Sequence, residues 1–417
     1  MNKPVLITHQ LRLTTETPVS IGGNQDHKLS PYVDYVFSHD GETVHYINQR
    51  ALEAAVSATG LLDEYVRNIS LGMENNRSDF DLRAFIIGRL QKELDDVTAF
   101  KTINRGIATD RKQEVAPIAK TAGRAYLPGS SLKGALRTAI LYGWLIGSKE
   151  GEKVIAEYFS MLKDWEYLES EFHRLKRDFS QHAKSEKREL NKKMKALERR
   201  LFNEEALFGT IKDDVGQDSR RIRLTDTNVV GLWEVFGVQR IRLRPEGRQN
   251  PKGRGSTIPT PREAIPEEFS LDCRLTIEPP LRHPALQYLA SEDTGELLKK
   301  LSYFSQDAIS FEITELEEAR YREHQDAIDG LLNFYRRLKT RSEKGEVFLR
   351  LGAGKTIYDN SLALALYNGG DPEPSMDAFD RFRNVMWRVR YADRIYPVTR
   401  TLTAEGLPLG WVKVEVT

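Results

Sequence analysis

Polar and apolar residues alternate over residues 8–19, the period-two pattern of a half-buried strand, and the run ends in Ile21, Gly22 and Gly23. Two shorter runs, residues 32–37 and 44–47, predict further strands on either side of a turn at Asp40 and Gly41. The period then becomes helical. Residues 48–59, with Gly60 as the stop, and residues 79–94 each carry an apolar stripe flanked by charged positions. Residues 100–124 keep no regular period and hold six bases against two acids, which predicts a mobile arm or a projecting β-hairpin.

The strongest helical pattern spans residues 126–147, YLPGSSLKGALRTAILYGWLIG. Leu132, Ala135, Leu136, Ala139, Ile140, Gly143 and Ile146 recur at the spacing of a buried face. Pro128, Gly129, Ser130 and Ser131 join a strand end to this helix, and the two serines are N-cap candidates. Lys133 and Arg137 stand one turn apart near a helix start whose unpaired N–H groups attract anions. A glycine, two hydroxyls and two cations at that place suit a phosphate, although an ordinary capped helix with solvated charges shows the same pattern.

Residues 151–200 read as long helices broken near Ser180, charged nearly all round in the second half. They predict a solvated helical hairpin, or a contact to RNA or to a neighbouring subunit. Next come EALFG at residues 205–209 and RIRLTDT at 221–227. Asp213, Asp214, Asp218 and Asp226 invite a metal reading, but their spacing does not match an EF-hand loop. Residues 235–243 form a predicted strand with Arg240 and Arg242 on one face. The Gly- and Pro-rich residues 247–261, with Arg248, Lys252 and Arg254 and with Arg262 just beyond, read as a flexible basic loop between two halves. Their guanidinium groups can fork onto phosphates. A strand at 269–277 and helices at 285–303 and 310–338 lead to EVFLRLGAGK at 346–355. Gly354, Lys355 and Thr356 imitate part of a nucleotide-binding loop, but the glycine required five residues earlier is Leu349.

Composition sharpens this picture. The formal net charge is +1, which alone argues against a polyanionic partner, yet the charge is unevenly placed. Residues 172–200 hold eleven bases against four acids, residues 220–262 ten against three, and residues 291–326 ten acids against four bases. Such a chain can meet a polyanion on one side and a protein on another. The single cysteine, Cys273, excludes an intrachain disulfide and a cysteine-rich zinc site. No apolar run reaches membrane-spanning length and the first residues read as a strand, so a soluble, cytoplasmic protein is expected.

Pro128 to Gly134 followed by Ala135, Leu136 and Arg137 resembles the signature turn and helix of the RAMP superfamily, the RNA-binding proteins of type III CRISPR effector complexes. Residues 17–23, 207–226 and the glycine-rich 350–358 are similar to further family segments in the same order. Tyr396-Pro397, Thr399-Arg400 and Pro408-Leu409-Gly410-Trp411 are similar to the closing segment of one branch, the fifth Csm subunit of type III-A systems. The resemblance implies an α+β fold of two ferredoxin-like (RRM-type) domains, residues 1–235 and 236–417, with helical insertions at 48–100 and 151–200 and a thumb-like projection. It implies a non-catalytic subunit that caps the 3′ end of the crRNA and supports crRNA maturation. Expected partners are the crRNA, target RNA near the filament end, neighbouring Csm backbone and small subunits, and a host trimming nuclease, in a hetero-oligomer with no membrane, metal or cofactor. The candidate RNA contacts are Gly22, Gly23, His27 and Lys28, then Gly129, Ser130, Ser131, Lys133 and Arg137, then Arg240, Arg242, Arg248, Lys252 and Arg254, and finally Gly352, Gly354 and Lys355. The alternative is an RNA endonuclease of the same superfamily, for which Asp26, His27 and Asp34 are the available acid and base groups.

Overall fold

The structure, a computed structural model, describes residues 6–22, 28–75, 80–109, 112–175, 178, 180–201, 214–243, 260–290, 293–319, 322–360, 363–368 and 399–416. Strand β1 (Ile7–Thr15) turns Leu11 and Leu13 inward and leaves Gln10 and Arg12 exposed, as its alternation predicts. It is the centre of a five-stranded antiparallel sheet. On one side lie β10 (Ser270–Ile277) and then β7 (Ile222–Leu224); on the other lie β13 (Trp411–Val416) and then β11 (Val347–Arg350).

The second sheet runs β12 (Thr399–Thr403), β8 (Glu234–Arg242), β4 (Thr98–Arg105), β3 (Thr43–Ile47), β2 (Tyr35–Phe37), with β9 (Thr260–Ala264) also paired to β8. Its β4–β8 pair is parallel and the others antiparallel. A two-stranded ribbon, β5 (Lys120–Thr121) and β6 (Arg124–Ala125), completes a mixed α/β architecture. Each large sheet draws strands from both sides of residue 235.

Several expectations need correction. The segment read as a projecting arm begins with β4, which is held between β3 and β8 and buries Thr102. Its polar composition misleads because the strand is buried at few positions. The helix expected over 79–94 divides into Leu82–Ala84, a π-turn at Phe85–Arg89 and a 3₁₀ turn at Leu94–Val97, since Gln91 takes φ 51 and ends the helical path. An unexpected helix follows Gly60: α1 (Gln49–Thr59) is capped there at φ 68 and α2 (Leu62–Asn75) packs beside it.

The signature helix α3 (Gly129–Gly147) is buried beyond the one face expected, with Leu141, Tyr142, Trp144 and Leu145 also inside. It lies against α4 (Lys149–Arg174), β7 and α7 (Gly295–Glu317). The expected hairpin is present: α4 and α5 (Gln181–Leu201) pack together through Leu162, Trp165 and Met194, and the short α6 (Asp214–Arg221) leads into β7. The helix expected at 285–303 is a 3₁₀ turn, Gln287–Ala290, followed by α7, and α8 (Gln325–Glu343) starts only after it. Among the described residues no helix is long and apolar enough to cross a membrane.

Charge is buried where α7, β11 and β12 converge. Arg350 and Arg400 are each 2% exposed. Glu312 on α7 accepts from Arg350 at 3.3 Å and from Arg400 at 2.7 Å, and Arg350 Nε donates to the Leu409 carbonyl at 3.1 Å. Asp359 takes Thr356 N–H at 2.7 Å and lies 3.4 Å from Arg350. This network fixes the loop after β11. There Gly352 has φ 69, and a Cβ on it would stand 2.2 Å from the Ser20 carbonyl oxygen. Only glycine permits that approach.

Glu312→Ala would remove the carboxylate that two buried guanidinium groups share, leaving Arg350 the longer 3.4 Å approach of Asp359, and should cost about 3–5 kcal/mol, read as a lower urea midpoint. Gly352→Ala should lower the thermal midpoint more than Gly406→Ala. Gly406 also has positive φ (82), but a Cβ there meets nothing within 4 Å. Equal shifts would show that the close approach to Ser20 carries no energy.

Candidate nucleic-acid interface

Beyond β1 the chain continues as an extended strip. Glu16 and Thr17 N–H groups donate to the Trp411 carbonyl, Val19 bridges Ile265, and Gly22 bridges Ile118. The C-terminal glycine loop closes over this strip: Ala353 N donates to Ser20 O at 2.9 Å, and Gly410 N to Pro18 O at 2.9 Å. Between them opens a cleft of about 410 Å³ lined by Ser20, Gly22, Lys28, Ala116, Pro117, Arg262, Gly352 and Ala353. Gly22 at the end of the strip and Gly352 in the C-terminal loop, more than 300 residues apart in sequence, thus share one surface with two cations.

The strand alternation of β9 explains the cleft's sign. Arg262 lines the cleft, while the next residue, Glu263, is fully buried. Glu263 accepts from Tyr46 Oη at 2.8 Å, Ile118 N at 2.9 Å and Lys120 Nζ at 2.7 Å. Lys120 also sits 3.7 Å above the Trp233 ring, and burial pushes its ammonium below the usual lysine value against the pull of Glu263. The Glu263 carboxylate is therefore used internally, to hold the backbone at 116–120. Burial, and then repulsion from Arg240, lower the pKa of Arg262 from the ordinary arginine value, so Arg240 belongs to the same positive field. Lys28 is exposed and pairs with Glu114 at 3.1 Å, a contact that solvent and salt weaken.

The signature turn is arranged differently from its expectation. Pro128 is the N-cap, without a side-chain bond, and Ser130 and Ser131 fall inside the first turn. The helix start already holds an anion, because Gly129 N donates to Asp226 Oδ1 at 2.8 Å. A Cβ on Gly129 would stand 2.5 Å from Leu224 O, so this glycine serves the packing of α3 against the end of β7. Lys133 donates to Ser219 O at 2.5 Å, and burial, then Arg137, lower its pKa. Lys133 and Arg137 rim a small apolar hollow with Leu136, Ile140 and Leu275.

Of the residues expected from sequence, the structure brings Gly22, Lys28 and Gly352 together at the cleft, while Arg240 lies on β8 outside its lining. Ser130, Ser131, Lys133 and Arg137 stand apart at α3. Gly354 is buried against Leu409, and Lys355 is half-buried with its pKa lowered by burial. Arg242 is half-buried on β8 opposite Thr399. Gly23, Asp26, His27, Arg248, Lys252 and Arg254 lie outside the described residues, as do residues 205–209 and Asp213. Asp218 accepts from the backbone N–H groups of Arg282 and His283 at 2.7 Å each, so it and Asp226 serve amides. Among the described residues no group of three or more His, Cys, Asp or Glu could hold a metal ion. The sequence reading missed the roles of Asp226 and Glu263. An acid closing a strand after the signature helix was visible for the first, and nothing local marked the second.

A model of the RAMP superfamily matches residues 12–357. No curated protein matches the chain. Among solved structures, it is similar to a chain of a Csm–crRNA–target RNA ternary complex of a type III-A CRISPR-Cas system, determined by cryo-EM. That match has 20% identity and a TM-score of 0.61, and covers 98% of this chain and 100% of the other. It is also similar to crystalline T. onnurineus Csm5, with 19% identity and a TM-score of 0.57 over 96% and 99% of the two chains. These two likenesses concern the fold. The family match spans well over half of the sequence and includes both the signature helix and the glycine-rich loop, and on that ground the chain belongs to the RAMP superfamily.

Proposed function

We propose that this chain is a non-catalytic RNA-binding subunit of a type III-A Csm effector complex, capping the 3′ end of the crRNA and supporting its maturation and the assembly of the complex. The observation that carries the reading is the cleft that joins Gly22 and Gly352 to Lys28 and Arg262. A fold similar over nearly its whole length to a chain of a Csm–crRNA–target RNA complex supports it. Exposed backbone and cations suit the sugar-phosphate strand, which positions RNA without reading its bases. A subunit that serves many different guide sequences requires that indifference. The described cleft lining offers cations and glycine, the groups that hold a strand by its phosphates.

Lys28→Ala combined with Arg262→Ala should weaken binding of a single-stranded RNA and reduce the slope of log K against log salt by roughly 1.4, two phosphate contacts' worth, in anisotropy titrations. In the purified complex the same variant should carry crRNA with longer, more heterogeneous 3′ ends. An unchanged slope and unchanged ends would remove the cleft from the interface. Labelled RNA incubated with the wild-type chain, with and without Mg²⁺, should remain intact. Cleavage abolished by Asp26→Ala would establish the endonuclease instead.

A further inference from the structure

The outer helix of the hairpin carries a charge pattern that its packing does not use. α5 holds eight bases against three acids, while α4 beside it holds seven acids against four bases. Ala183 and Met194 turn toward α4, and Trp165 Nε1 donates to Glu198 at 3.3 Å. On the opposite side Lys184, Arg188, Lys192, Lys195 and Arg199 are all exposed. Among the described residues none of the five side chains makes a hydrogen bond or ion pair.

At 3.6 residues per turn these five fall within an arc of about 80° that contains no acid and no apolar residue. They follow one another at three or four residues, about 4.5–6 Å of rise, over a line of about 22 Å. That step is comparable with the spacing of successive phosphates along an extended strand. The root of the hairpin is fixed, since Ser148 Oγ accepts Gly151 N at 3.0 Å and Gly151 packs directly on the Trp144 carbonyl. Carried on one helix packed against α4, the line is a preformed surface.

We infer that this face of α5 is a second RNA-binding surface, one that tracks a single strand by its phosphates. A protein partner fits it poorly, because protein interfaces need an apolar or aromatic centre and are depleted in lysine, and the arc offers only cations and Gln181. Nucleic-acid interfaces are polar and positive. With no aromatic ring in the arc to stack on a base, contact is electrostatic and independent of sequence. The inference rests on reading the chain as an RNA-binding subunit, and its test separates the two.

The full chain is titrated with fluorescein-labelled U30 oligoribonucleotide over a range of salt. The stripe variant carries Gln at Lys184, Arg188, Lys192, Lys195 and Arg199. The control carries Gln at five exposed cations elsewhere, Arg50, Lys92, Arg337, Lys339 and Lys344. The stripe variant should lower the slope of log K against log salt by roughly 3.5, and low-salt affinity more than tenfold, while the control moves neither comparably. A30 should behave as U30 does. An unchanged stripe variant, or a control with an equal effect, overturns the second surface while leaving the cleft untouched. Failure of the wild-type chain to bind U30 overturns both. A stripe variant that keeps its RNA affinity but no longer enters the complex assigns the face to an acidic protein and also overturns the inference.

Discussion

Two arginines buried together are unfavourable unless a carboxylate reaches both, and Glu312 does so. Arg350 comes from the end of β11, Arg400 from β12 and Glu312 from α7, so one side chain ties the first sheet, the second sheet and a core helix. Arg350 extends the tie to the turn at Leu409 and, through Asp359, to Thr356. The glycine loop lies inside this set of anchors. Its conformation follows from ionic geometry beneath it.

The cleft repeats that logic one layer out. Glu263 fixes the Ile118 amide, Lys120 and Tyr46 from below, so the charge facing the cleft belongs to Arg262 and Lys28. Backbone supplies the shape and cations supply the attraction. On the proposed reading, such a surface holds a strand by its sugar-phosphate spine.

Much of the scaffold was legible because it depends on local period. The alternation of β1, the apolar rows of α3 and the break near Ser180 all correspond to observed elements. The α2 helix carried its own signal in Leu62, Tyr65, Val66 and Ile69, obscured by taking Gly60 as the end of helical structure. What stayed illegible depends on partners far away in sequence. β4 is a sheet strand because β8, some 130 residues later, pairs with it, and Glu263 matters because Tyr46 and Lys120 arrive beside it. The family resemblance supplied Gly22, Lys28 and Gly352. Helix-start chemistry, before the resemblance, drew attention to Ser130, Ser131 and Lys133, whose surroundings are set by Asp226 and Ser219.

The Asp226 carboxylate at the start of α3 carries a consequence for the signature motif itself. A tethered ligand competes with any free one at an effective concentration set by its attachment, and a folded backbone is a stiffer tether than a flexible linker. A phosphate approaching Gly129 must therefore displace a resident that cannot diffuse away. The motif works as an internal clasp between helix and sheet, and its preservation across relatives would be owed to architecture before it is owed to ligand.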